Sequence, residues 1–311
     1  MREVLIVGGG VVGLTTGVLL AEDGVRVRLW SREPAAATTS AVAGGLCWPY
    51  RIEPAALAAE WAVRSFGTFA ALARDPAATG VRMRAGTMAD GASTPEWSAL
   101  VGPRTVTPVV DMTTYLRYLQ ARLEAAGGRV ERRAARSLEE AAAAAPVVVN
   151  CTGLGARELV PDPSVRAVRG QLVVVADPVG VEEWYVAAAH GAAASTYVIP
   201  QPYGLLLGGT AEEDAEDPEP DPGTAADIVA RCARVLPALA GAEVLEHRVG
   251  LRPYRPRVRL KAVRLPGGGV CVHHYGHGGA GVTVSWACAE DSVRLVSDAL
   301  RRAERRGHDV S

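Results

Sequence analysis

The residues best suited to recognition chemistry lie in one short stretch. In GLRPYRPRVRL, Gly250 to Leu260, four arginines (Arg252, Arg255, Arg257 and Arg259) fall within eleven residues, in a 311-residue chain whose net charge is only −1. A run of charge ordinarily marks a solvated face. Pro253 and Pro256 argue for something more specific, because each fixes its own φ at about −65° and restricts the residue before it. Arg252 and Arg255 are therefore stiffly mounted. A rigid guanidinium fork suits bidentate capture of a carboxylate.

A second constellation opens the chain. Gly8, Gly10 and Gly13 form G-x-G-x-x-G, enclosing Val11 and Val12, directly after the apolar run EVLIV. Such glycines allow a tight turn, close backbone approach to a pyrophosphate and close helix packing, and the helix N-terminus then faces the diphosphate. The acidic residue expected after the second strand is missing: Ser31 takes that slot, followed by Arg32 and Glu33. Arg32 is a candidate for ribose or phosphate oxygens, and the departure weakens an NAD reading more than a flavin one. Two further glycine turns follow, Asn150-Cys151-Thr152-Gly153 and Gly278-Gly279-Ala280-Gly281-Val282-Thr283. The first resembles the strand-and-turn element of two-domain flavoproteins that passes near FAD. The second heads the last predicted helix, whose positive N-terminal dipole would stabilise an anionic reduced flavin.

The elements that must position these residues follow from pattern. EVLIV, the helix to about Asp23 stopped by Gly24, and VRVRLW form a βαβ opening. A helix is predicted near 56–73, and 76–110 reads as irregular. DMTTYLRYLQARLEAAGG puts Leu116, Leu119 and Leu123 on one helical face, with Asp111 or Thr113 as cap and Gly127-Gly128 as stop. PVVVN is a buried strand, while GQLVVVAD and STYVIPQPYGLLLGGT read as antiparallel strands turning at QPYG. An acidic, proline-rich loop covers 211–223 and a helix 224–236. A hairpin follows over RVRLKAVRLPGGGVCVHHYG, in which His273 and His274 alternate faces so that at least one should be exposed. The last helix should run from HGGAG to about Arg306. The fold class expected is α/β: a Rossmann-like dinucleotide-binding domain with an interleaved, mainly antiparallel β-sheet domain. The division falls at 1–75, 105–165 and 262–311 for the first, and 76–104 with 166–261 for the second.

Composition narrows the function classes. Hydrophobic content and charge are those of an ordinary globular protein, and the acid–base balance argues against nucleic-acid binding. No apolar run reaches the ~20 residues that span a bilayer, so no membrane is expected. Five cysteines without zinc-like spacing point to a reducing, cytoplasmic setting and to no metal, with a Cys232–Cys288 bridge left open. With a strand starting at once at the N-terminus, no signal peptide is expected.

Several of these segments together carry a family likeness. The chain resembles the D-amino-acid oxidases, the FAD-dependent group that includes D-aspartate oxidase, through IVGGGVVGL, TTSAVAGGLCWPY, NCTG, RGQLVVV, YVIPQ, VGLRPYRPRVRL and YGHGGAGVTVSWACA. The likeness runs over nearly the whole length, and the last two segments are its most specific. It implies non-covalent FAD. Arg252 would pair with the substrate carboxylate, Tyr197 would add a hydroxyl to it, and the Gly279 carbonyl would accept from the substrate amine. Thr38, Thr39 and Ser40 would lie near the phosphates, with Thr152 near the cofactor. Gly44, Gly45 and Leu46 would lie against the isoalloxazine, with Val282 and Thr283 at its pyrimidine edge and Arg259 near the flavin. Leu46, Trp48 and Ile199 would line the substrate pocket. Two departures stand out. Ala193 occupies the position of a second tyrosine, which removes an expected lid. Cys47-Trp48 replaces a tryptophan–glutamine pair.

The activity so implied is oxidation of a D-amino acid by hydride transfer from Cα to flavin N5, with dioxygen as acceptor. The products are hydrogen peroxide, ammonia and a 2-oxo acid. No Asp, Glu or His in these motifs is placed as an obligatory base, and His277 reads as a structural hydrogen-bonding residue. Other readings are a D-aspartate oxidase, in which Arg255 or Arg257 supplies a second cation, a glycine/sarcosine-type amine oxidase, an NAD-dependent dehydrogenase, and a non-catalytic nucleotide-binding protein. A homodimer stays open as the assembly.

Overall fold

The computed structural model describes residues 3–89, 104–187 and 194–308. Ala193, the position of the absent lid tyrosine, lies outside them. Among the described residues, thirteen strands join one sheet. Its parallel half runs β5 (Arg129–Arg132), β2 (Arg26–Ser31), β1 (Glu3–Val7), β6 (Val147–Asn150), β13 (Val270–His277). Every neighbouring pair in that half is parallel. Beyond β13 come β12 (Val244–Arg264), β7 (Arg166–Val175), β10 (Gly204–Thr210), β9 (Ala194–Gln201), β8 (Trp184–Ala187), β3 (Val81–Met88) and β4 (Arg104–Val110). This half is antiparallel except where β3 meets β8. The two-residue β11, Glu212–Glu213, pairs with β7.

Apolar runs build the central strands β1 and β6 of the parallel half because both of their faces are covered. Val4 and Ile6 of β1 pack in one cluster with Leu14 and Val18 of α1 (Val11–Glu22), Leu116, Leu119 and Leu123 of α4 (Met112–Ala125), and Trp286 and Val296 of α8 (Ser285–His308). Leu5 and Val7 face the other way, with Trp30, Val148 and Leu138 of α5 (Leu138–Ala144). This two-sided cover also overturns the expectation of an exposed histidine. His273 and His274 are both buried, because β13 lies inside the sheet with packing on each face.

The predicted helices appear as α2 (Ala55–Leu72), α4 capped by Asp111, and α7 (Pro222–Val235). The segment 76–110, read as irregular, instead supplies the short α3 (Pro76–Thr79), β3 and β4. β3 is partly exposed and contains Gly86, and β4 is interrupted by Thr105, Thr107 and Pro108, so neither has the continuous apolar run of β1 and propensity understated them. β4 pairs with β3 and so joins the antiparallel half, whereas the sequence division places it with the dinucleotide-binding domain. The boundary at 261/262 falls inside β12, which bonds β7 through its first half and β13 through its second. All five cysteines are free, which excludes a Cys232–Cys288 bridge. Among the described residues no helix is long and apolar enough to cross a membrane.

Candidate active site

A cleft of about 1170 Å³ runs over the C-terminal ends of the parallel strands and on across the face of the antiparallel half. Loops leaving such strand ends are where α/β folds place ligands. β1 delivers Gly8–Gly10, β2 delivers Ser31–Glu33, β6 delivers Cys151–Gly155, and β13 delivers Gly276–Gly279 to its wall. The opening glycines are dictated by contact. A Cβ at Gly8 (φ +115°) would lie 2.3 Å from the Cys151 carbonyl oxygen, and one at Gly13 would lie 1.9 Å from that of Gly8. Gly13 therefore packs behind the wall, whereas Gly10, Val11 and Val12 line it.

The first-turn N–H groups of α1 lack intrahelical acceptors. One of them, Val11 N–H, donates to Ser40 Oγ at 3.0 Å. Thr38, Thr39 and Ser40 all line the cleft, although the Thr38 hydroxyl donates to the Ala35 carbonyl at 2.7 Å. Thr152 is on the wall too, with its hydroxyl bonded to Asn150 Oδ1 at 2.7 Å. Arg32 is there with a largely exposed side chain, 3.9 Å from Glu33. Further along, Gly44, Gly45 and Leu46 line the cleft, as do Gly281, Val282 and Thr283. A Cβ at Gly45 (φ +77°) would lie 1.9 Å from the Val110 carbonyl oxygen. Thr283 Oγ1 accepts from Trp48 N–H at 3.0 Å and donates to the Trp48 carbonyl at 3.1 Å, so its side chain ties two walls together. Gly281 to Val284 form hydrogen-bonded turns, and the regular helix begins only at Ser285.

The antiparallel half contributes the polar end. Arg252 projects from β12 into a space kept open by Gly170 of β7: a Cβ there would sit 2.2 Å from both terminal guanidinium nitrogens. Arg252 Nη1 donates to the Thr210 carbonyl at 3.1 Å, and among the described residues no carboxylate pairs with it. Tyr197 of β9 lies over Gly208 and Gly209, where a Cβ would fall 1.8 and 2.5 Å from its ring or hydroxyl. Burial pushes the Tyr197 hydroxyl up to about 12, against the pull of Arg252, so at neutral pH it keeps its proton for donation. Ile199, Leu46 and Trp48 add apolar surface beside it.

Gly278 and Gly279 close this end against the 50–51 segment. A Cβ at Gly278 (φ +54°) would lie 1.9 Å from the Arg51 carbonyl oxygen, and one at Gly279 would lie 2.6 Å from the Tyr50 ring. His277 is buried, and burial lowers it to about 4, which leaves a neutral ring. Its Nε2 has no partner among the described residues, so the hydrogen-bonding role expected of it is absent at that atom.

Arg259, like Gly13, is an expected cofactor residue that lies off the cleft wall. It donates to Asp162 Oδ2 at 3.1 Å and to the Tyr275 hydroxyl at 2.7 Å. The cause is register: β12 sets Arg259 opposite Tyr275 on β13, on the side where the buried Asp162 waits. Arg255 joins the same carboxylate at 3.0 Å, and Arg257 is exposed. Sequence reasoning missed Tyr50, Arg51, Gly170, Glu213 and Tyr275, all on the wall. Gly170 had a signal, since a glycine inside a buried strand marks close approach of another group. Tyr50 follows a proline in CWPYR and Tyr275 sits between glycine turns. Arg51 and Glu213 carried none, because they meet only in the folded chain.

The cleft exceeds the roughly 300–1,000 Å³ of ordinary small-molecule sites, leaving room for a dinucleotide and a small substrate end to end. The side-chain-free backbone at Gly8–Gly10, the α1 N-terminus and the Gly44–Gly45 strip suit the diphosphate and flat ring of FAD.

Known proteins agree with that chemistry. The family model for FAD dependent oxidoreductases matches residues 3–104 and 99–295. A D-amino-acid oxidase of Streptomyces coelicolor is 57% identical, covering 95% of this chain and 97% of its own. A D-amino-acid oxidase of Rubrobacter xylanophilus is 46% identical, covering 96% and 97%. Human D-aspartate oxidase is 32% identical over 96% of this chain and 95% of its own. Glycine oxidase from Bacillus cereus, at 17% identity, has the same fold with a TM-score of 0.74 over 96% of this chain and 95% of that one. With the cleft, the glycine turns and these matches in hand, the chain belongs to the FAD dependent oxidoreductase family.

Proposed function

We propose that the protein oxidatively deaminates D-amino acids with neutral side chains, giving a 2-oxo acid, ammonia and hydrogen peroxide. The observation that carries this reading is Arg252, glycine-cleared and without a carboxylate of its own among the described residues, beside Tyr197 at one end of the flavin-type cleft. A D-amino acid would place its carboxylate between the Arg252 guanidinium and the Tyr197 hydroxyl. Its ammonium would meet the backbone carbonyl of Gly279. These anchors fix the orientation of Cα, and such positioning contributes on the order of 7–11 kcal/mol to lowering a barrier. FAD, when bound, supplies the chemistry by accepting the hydride from Cα and passing electrons to dioxygen. Leu46, Trp48 and Ile199 would receive the side chain and exclude water from it.

The placement of the remaining cations favours neutral substrates. Arg255 and Arg259 are held by Asp162, and Arg257 is exposed. A D-aspartate-selective site built from Arg255 or Arg257 therefore has no support from their positions. A peroxide assay over a panel of D- and L-amino acids, glycine and sarcosine tests the reading. Peroxide from neutral D-amino acids above all others is expected. Preference for glycine or sarcosine, or no peroxide from any D-amino acid, overturns it.

A further inference from the structure

Among the described residues, three potential metal ligands converge where β13 meets α8. One ring nitrogen each of His274 and His277 and the Cys288 sulfur lie within 4.8 Å of one another, and all three residues are buried. In a regular strand, residues three apart point to opposite faces. Gly276, at φ +86°, breaks that alternation, and the two rings meet edge to face with centroids 5.1 Å apart. Nε2 of both rings is buried without a hydrogen-bond partner among the described residues. For His274 a neighbour fixes the tautomer. The Thr16 hydroxyl donates to the Val12 carbonyl at 2.8 Å, so toward His274 Nδ1, at 3.3 Å, it serves as acceptor. Nδ1 then carries the ring proton, and Nε2 keeps its lone pair.

We infer that His274, His277 and Cys288 form a binding site for a divalent cation of the zinc class, which ties the end of β13 to the first turn of α8. Two imidazole nitrogens and a thiolate are the donors that Zn2+ prefers, whereas Mg2+ and Ca2+ take oxygen. On coordination Cys288 gives its thiol proton to solvent and binds as the thiolate. Ligand atoms on a tetrahedral zinc ion lie roughly 3.3–3.6 Å apart, so small side-chain rotations close the set, and water takes the fourth position. His274 and His277 also line the cleft, which gives an ion its way in. The tie would restrain the turn after β13, which puts Gly279, Gly281, Val282 and Thr283 on the cleft wall. Spacing along the chain gave no sign of the site, because the backbone turn at Gly276 and the return of α8 assemble it, not sequence proximity.

The test uses the FAD-loaded full chain, free of any polyhistidine tag and cleared of metal with a chelator. Titrated with Co2+, a spectroscopic stand-in for Zn2+, the parent should take up a single equivalent. Tetrahedral d–d bands should appear to the red of the flavin absorbance, and added Zn2+ should bleach them. With Zn2+ about a hundredfold above its dissociation constant, the melting temperature should rise by about 4 °C. His274→Asn keeps a polar atom for Thr16 but loses Nε2, and Cys288→Ala removes the sulfur. Each should lose both the bands and the melting shift. Retained flavin absorbance shows that a variant is folded, and either variant alone decides the matter. A parent without the bands overturns the inference. Bands or a melting shift that survive either substitution also overturn it, since the ion then sits elsewhere or does without that ligand. None of these readouts depends on the substrate, so they stand or fall apart from the proposed activity.

Discussion

Arg252 and Arg259 lie on the same strand, yet their guanidinium groups end in opposite circumstances. Arg252, on the half of β12 that bonds β7, faces the cleft with one backbone carbonyl as its partner and Gly170 cleared beneath it. Arg259, on the half that bonds β13, is neutralised by Asp162 and the Tyr275 hydroxyl, and Arg255 shares that carboxylate. Burial alone would raise the Asp162 carboxyl. The Tyr275 hydroxyl and Arg255 outweigh it and hold the group well below the usual carboxylate range. The guanidinium proposed for recognition is thus left without a counter-ion among the described residues, while the one built into the strand packing is satisfied internally.

The strongest way to break this contrast is at the cleft end. Arg252→Met should lower kcat/KM for neutral D-amino acids on the order of 10³-fold, mainly through KM, because the substrate carboxylate loses its charged partner. The purified variant should stay yellow with FAD and unfold near the parent temperature. Unchanged KM for D-alanine would remove Arg252 from substrate binding.

The opposite result is expected at the other end. Asp162→Asn should cost about 2 kcal/mol of folding stability in urea unfolding, less than a fully buried pair because both arginines keep some solvent. Its effect on KM should be small. The folded-state pKa of Asp162 is depressed, so its contribution is present above the unfolded carboxylate pKa and is lost as pH falls below it. The variant should therefore lose less stability than the parent on acidification. A variant that keeps parental stability but loses substrate affinity would reverse the assignment of the two ends.

The smallest effect sharpens the comparison. Arg257 is exposed and its backbone carbonyl accepts from Arg255 Nη1 at 2.7 Å. Arg257→Gln keeps that carbonyl, so stability and kcat/KM should both stay within about 0.5 kcal/mol of the parent. A large loss in kcat/KM would show that a third arginine takes part in recognition.

Much of this molecule could be read from its residues. EVLIV, the Gly8–Gly13 turn and PVVVN specify buried parallel strands and a helix start through local pattern alone, because each needs only its own neighbours in sequence. The rigid mounting of Arg252 was legible too, from two prolines. The strands at 81–88 and 104–110 were not, since their stability comes from partners and not from an apolar run of their own. The burial of His273 and His274 escaped for the same reason: alternation along a strand does not say whether one face or both are covered.

By itself, then, the sequence determined that there is a dinucleotide-type glycine turn and a stiffly mounted arginine suited to a carboxylate, with a choice left open among four guanidinium groups. Only the tertiary structure decided which one faces the cleft, because that depends on strand register and on Gly170 and Asp162, both distant in the chain. Backbone propensity acts over a few residues, whereas charge is paired or exposed by whatever the fold brings within hydrogen-bonding distance.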